Sequence, residues 1–158
     1  MMNSYLQILQ DSLIKKYEVL CKIEEKSLEQ SNMLKSQNVD LAQVDLNMDE
    51  KAALIEEVLS LDNGFESIYE KIRTQLLPNK EQYKSQIVTL QKLIEKVTEK
   101  NASIQAIEAR NKAQMDMFFS NQKRELKSKR NAMSVARDYY QSMNKVKNVS
   151  PQFLDQKK

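Results

Sequence analysis

The residues of this chain that could do chemistry are few, and their spacing argues against catalysis. Asp45, Asn47, Asp49 and Glu56 stand at the first, third, fifth and twelfth positions of a calcium-loop pattern. The sixth position of such a loop needs glycine for its sharp turn, and here it is Glu50. The segment also carries helical periodicity, so chance acidic spacing is the better reading. Cys21 is the single cysteine, and the chain has no histidine to activate it. Its place beside an apolar helical face predicts a buried structural thiol. The lack of histidine also removes the usual general base at neutral pH and the commonest nitrogen metal ligand. Glu-x-x-His pairs of the di-iron bundle type are thereby excluded. One glycine cannot build a loop that cradles phosphate. The reading is a protein that is not an enzyme and that needs no metal and no cofactor.

What remains is a basic cluster, Lys123, Arg124, Lys127, Lys129 and Arg130. Such a cluster suits phosphate contacts. Yet Phe119, Leu126, Met133 and Tyr140 recur at heptad spacing on one helical face, with Phe118 and Ala136 at its margins. That face is what a partner helix needs, while Lys123, Arg124, Lys127 and Arg130 would steer an acidic partner. Docking of a partner protein ranks first, a homodimer through the same arm second, and nucleic acid third. A structural coiled-coil dimer whose basic arm contacts nucleic acid or an anionic membrane is the alternative to a binding module.

The elements that must carry these residues are set by the helix breakers. There is one glycine, Gly64, and there are two prolines, Pro78 and Pro151. A helix filling most of the interval between the prolines, over 79–147, would be about 100 Å long. The two helical stretches before it, over 3–37 and 40–77, are about half as long and can cover only its first half. The expectation is an all-α fold: an elongated antiparallel three-helix bundle or coiled coil, with the long C-terminal helix projecting beyond two shorter helices. The bundle would occupy 1–115, the projecting arm 116–147, and a flexible tail 148–158.

Local patterns support that division. Leu6, Leu9, Leu13, Tyr17, Leu20 and Ile23 share one helical face. Asp40 is placed to cap the second helix with its carboxylate. In that helix Leu54, Val58, Leu61, Phe65, Ile68 and Ile72 form a broad stripe, wide enough for two neighbours. The stripe keeps phase across Asp62-Asn63-Gly64, so the helix is read as continuous there. Pro78 disfavours helical geometry at Leu77 and ends it. Tyr83, Ile87, Leu90, Ile94, Val97, Asn101, Ile104, Glu108, Asn111 and Met115 then make a coiled-coil-like seam. Its polar members either fix register or drift off the buried face. The step from Asn111 to Met115 to Phe119 is a stutter. Beyond it the best stripe is Phe119, Gln122, Leu126, Lys129, Met133, Ala136, Tyr140 and Met143.

Composition agrees with long helices: of 158 residues 30% are charged and 41% apolar, with almost no glycine or proline. The net charge of +3 is unevenly spread. Residues 1–115 carry 15 Lys/Arg against 18 Asp/Glu, whereas 116–158 carry 10 against 4. A single cysteine favours a reducing compartment. The N-terminal stretch lacks the basic and apolar pattern of a signal peptide, and no run approaches the roughly 20 apolar residues of a membrane span. A cytoplasmic location is expected.

Two stretches give the chain a family likeness. One runs from Asp49-Glu50-Lys51 through Ala53-Leu54-Ile55-Glu56-Glu57 to Leu61-Asp62-Asn63-Gly64-Phe65-Glu66. The other is Ile107-Glu108-Ala109-Arg110-Asn111-Lys112, leading into Phe118-Phe119 and Tyr139-Tyr140. With the long-helix hairpin they resemble the FlgN-like flagellar type III export chaperones over most of residues 3–143. The resemblance implies a cytoplasmic chaperone. It would bind a helical terminal segment of hook-filament junction (hook-associated) subunits, keep them unassembled and deliver them to the export apparatus. It also places the start of the substrate-binding C-terminal helix near Asn111.

Overall fold

The computed structural model describes residues 1–121 and 126–146, with only the backbone described for 126–132. Most of the described residues fall in four α-helices: α1 (Met2–Lys35), α2 (Leu41–Leu76), α3 (Lys84–Asn121) and α4 (Leu126–Asn144). α1 packs directly along both α2 and α3, and α4 packs along α2. None of these helices is long and apolar enough to cross a membrane.

The first two helices are bounded where expected, although Leu77, before Pro78, keeps right-handed helical dihedrals (φ −60°, ψ −44°) and is not pushed out of helical geometry. Asp40 caps α2, its carboxylate accepting from the backbone N–H of Ala42 at 3.0 Å and of Gln43 at 3.4 Å. α2 then runs unbroken through Gly64, where an added Cβ would meet nothing within 4 Å. Asp62, beside it, reaches across to α1 and takes a 2.6 Å ion pair from Lys16. Val58, Phe65, Tyr69 and Ile72 stay buried on either side of Asp62-Asn63-Gly64, so the stripe keeps phase and the segment is helix and not turn. α2 gives way at Leu76 to a 3-10 turn, Leu77–Asn79, which contains Pro78. The Asn79 side chain donates to the Gln75 carbonyl at 2.7 Å, satisfying one acceptor freed at the helix end.

The single helix expected over 79–147 is instead two helices. α3 starts only at Lys84 and stops at Asn121, and α4 begins at Leu126. Tyr139 of α4 lies over Lys51 of α2, which is itself bonded to Glu108 of α3. Tyr139 is as far from the start of α4 as Glu108 is from the end of α3, so the chain reverses between them. The expected projecting arm is therefore the fourth member of the bundle at one end. The physical reason is apolar burial: Ala136, Tyr139, Met143 and Val146 are buried against the other helices, where a lone arm would leave them wet. The tail expected over 148–158 lies outside the described residues.

Two apolar clusters fill the bundle. One joins Leu6, Leu9 and Leu13 of α1, Phe65, Tyr69, Ile72 and Leu76 of α2, and Ile87, Leu90 and Ile94 of α3. The other takes in all four helices, from Val19 and Ile23 through Met48, Ile55 and Ile104 to Phe119 and Tyr139. The seam anticipated on α3 is buried from Ile87 to Met115, its polar members Asn101, Glu108 and Asn111 included. Asn111, Met115 and Phe119 all stay buried, so the stutter keeps its three residues on the inner face.

Candidate functional site

The antiparallel return of α4 leaves a groove between it and the last turns of α3. Met115 and Phe119 come from α3, and Met133, Ala136 and Tyr140 from α4; together they make its apolar surface. Lys112, Asp116, Arg137, Gln141 and Asn144 supply polar groups around it. The space is about 330 Å³, enough for anchoring side chains of a partner. Phe118 stacks edge-on against Phe119, with ring centroids 5.6 Å apart. Met133 remains 41% exposed, an unbranched thioether able to adapt to different shapes.

Four of the six residues read from the sequence as partner-binding therefore line one groove: Phe119, Met133, Ala136 and Tyr140. Phe118 does not line it but touches Phe119 and packs partly buried against the core. The side chain of Leu126 lies outside the described residues, as do those of Lys127 and Arg130; Lys123 and Arg124 fall wholly outside them. Among the described residues, Lys112 and Arg137 give the groove basic character. Phe119 and Ala136 are both only 7% exposed, so they form the floor and not a free face.

Beneath the groove lies a polar cluster that the sequence reading did not assemble. Lys51 of α2 is 0% exposed and donates to both carboxylate oxygens of Glu108, at 3.0 and 3.1 Å, and to the Gln30 side-chain carbonyl. Asn111 donates to the Ser27 carbonyl at 2.8 Å and accepts from the Ser31 hydroxyl at 2.5 Å. The Tyr139 ring of α4 closes the cluster, its centroid 4.4 Å from the Lys51 ammonium. Burial pushes Lys51 below the ordinary lysine pKa, and the Glu108 carboxylate opposes that shift. Burial also pushes the Tyr139 and Tyr140 phenols well up, with Glu108 adding to both. The Tyr140 hydroxyl is enclosed near the Gln30 side chain, with no partner in hydrogen-bonding geometry among the described residues, while the ring lines the groove.

Lys51, Gln30 and Tyr139 are the residues missed. Met48, Lys51, Ile55 and Val58 are spaced three and four apart, so Lys51 falls on the buried stripe of α2, directly in register for Glu108. Ala136, Tyr139 and Met143 repeat the same spacing on α4, and Val146, just past its end, continues it. The heptad from Phe119 followed Tyr140 and passed over its neighbour.

The other chemical candidates lie on helices. Asp45, Asn47, Asp49 and Glu56 wind around the continuous helix α2 and do not form a loop. Asn47 is buried and donates to the Lys26 carbonyl at 2.9 Å. Cys21 is only partly buried, not enclosed as its position beside the apolar face suggested. No family model, no curated protein and no solved structure matches the chain.

Proposed function

We propose that the chain is a helix-binding export chaperone, a cytoplasmic and non-enzymatic protein that holds hook-filament junction subunits unassembled until export. The reading joins the FlgN-like resemblance to one structural observation, the α3–α4 groove with Met133 at its open edge. A subunit terminus that later enters a coiled coil carries apolar anchors at helical spacing before it assembles. A short groove with an apolar floor and Lys112 and Arg137 nearby takes one or two such anchors and favours an acidic segment around them. Its small area keeps the complex releasable, which delivery to an export apparatus requires.

The test is co-expression with the hook-associated subunits of the same organism, followed by purification of the complex. The reading predicts a stable soluble complex in which the subunit no longer polymerises. Failure of every such subunit to copurify would remove the chaperone reading. A structural dimer with a basic arm makes the opposite prediction about salt. Binding to nucleic acid or anionic vesicles would fall steeply between 50 and 200 mM salt, by roughly 10³-fold or more for several phosphate contacts, whereas apolar anchoring would change little.

A further inference from the structure

We propose that the C-terminal segment of this chain covers the α3–α4 groove, seating Phe153 and Leu154 where a partner's anchors would go. Residues 147–158 lie outside the described residues, but the point from which they leave is well defined. Val146 is buried, and Asn144, two residues earlier, lines the groove. The chain therefore departs from the groove's own edge. Pro151, five residues beyond Val146, has no backbone N–H to donate to a helical ladder.

Reach and chemistry agree. From Met133 to Asn144 the groove follows α4 for about 17 Å. The seven residues from Val146 to Phe153 span up to about 25 Å when extended, so Phe153 can arrive anywhere along it. In a mostly polar segment, which also holds Val149 and Pro151, Phe153 and Leu154 are the adjacent large apolar pair. Asp155 follows them, matching Lys112 and Arg137 of the groove, and Lys157 and Lys158 match Asp116. The volume of about 330 Å³ suits one or two such side chains and not a whole helix. A second copy of the chain and a foreign partner are the other occupants, and the tail has the advantage of being tethered at the site.

Methionine-methyl NMR on the full chain tests this. Met115 and Met133 line the groove, whereas Met48 is buried in the core on α2 and serves as the reference. The proposal predicts a nuclear Overhauser contact between the Met133 methyl and the Phe153 ring. It also predicts that the double substitution Phe153→Ala/Leu154→Ala shifts Met115 and Met133 and leaves Met48 in place. Absence of the contact, with unmoved methyl signals in the variant, would overturn it. So would a contact seen only between differently labelled chains in a mixed sample, since the occupant would then be a second copy. The consequence for capture rests on the chaperone reading: the same variant should bind the export subunit several-fold more tightly. With the intramolecular contact present, unchanged capture would count against the groove as the subunit's site and not against the docked tail.

Discussion

The two ends of the bundle solve the same packing problem with different chemistry. Where α1 begins and α2 ends, three helices close over Leu6, Leu9, Leu13, Phe65, Ile72, Leu76, Leu90 and Ile94. Where α1 ends and α2 begins, the same three helices admit a fourth, and the interior there holds Lys51, Glu108, Gln30 and Asn111 as well as apolar side chains. Lys16 and Asp62, both almost wholly enclosed, mark the boundary between the ends. An apolar core fills volume but accepts many neighbours, because the hydrophobic effect has no direction. A buried ammonium accepts only a neighbour that satisfies it. Glu108 from α3, Gln30 from α1 and the Tyr139 ring from α4 all meet Lys51, so a single residue of α2 registers the other three helices. The polar end is thus specified and the apolar end is strong, and the groove sits on the specified end.

The contrast breaks most visibly at Lys51. Lys51→Met leaves Glu108 buried without its partner and should cost about 3–5 kcal/mol in urea unfolding. Lys51→Met with Glu108→Leu should recover most of that loss, because an apolar pair needs no solvation. A cost near zero for the single change would mean that water reaches the cluster.

Leu90→Ala and Tyr139→Ala sharpen the comparison. Both side chains are about 1% exposed, and each truncation opens a cavity worth about 2–5 kcal/mol. Leu90→Ala strikes the three-helix end and should lower protection against hydrogen exchange throughout α1, α2 and α3. Tyr139→Ala should lower it first in α4. Equal loss of protection in all four helices for both variants would show that the ends are not separable.

The smallest effect is expected at Gly64. It lies in the interior of α2 with open space at its missing Cβ. Gly64→Ala should raise stability by about 0.5–1 kcal/mol through helix propensity and a less disordered unfolded chain. A loss of stability would indicate that the helix needs flexibility beside the Lys16–Asp62 pair.

These residues also show what the sequence could and could not reveal. The first two helices were legible because Asp40 and Pro78 bound them and their stripes hold phase. The α3 seam was legible for the same reason. The reversal between α3 and α4 was not, since no glycine or proline occurs between Pro78 and Pro151. Only the long-range burial of Ala136, Tyr139, Met143 and Val146 accounts for it, and a local pattern does not state which distant surface will cover it. The groove was half legible: heptad spacing found Phe119, Met133 and Tyr140, but took a groove between two helices for the face of one. Lys51 was passed over because charge is normally solvated, and its partner lies 57 residues away in the chain.

The proposed capture at the groove is tested most directly by titrating the terminal helix of a hook-filament junction subunit, where one copurifies, against the full chain and its Met133→Asp variant. Met133 is 41% exposed, so an added charge leaves the core intact, and equal melting temperatures of the two proteins would establish that. A carboxylate at the groove's open edge should repel an acidic helix and desolvate poorly beneath its anchors. The account predicts at least a tenfold weaker dissociation constant for the variant, about 1.4 kcal/mol, with Met117→Asp, on the exposed side of α3, unchanged. Equal affinity of Met133→Asp and the native chain would contradict the groove as the site of capture.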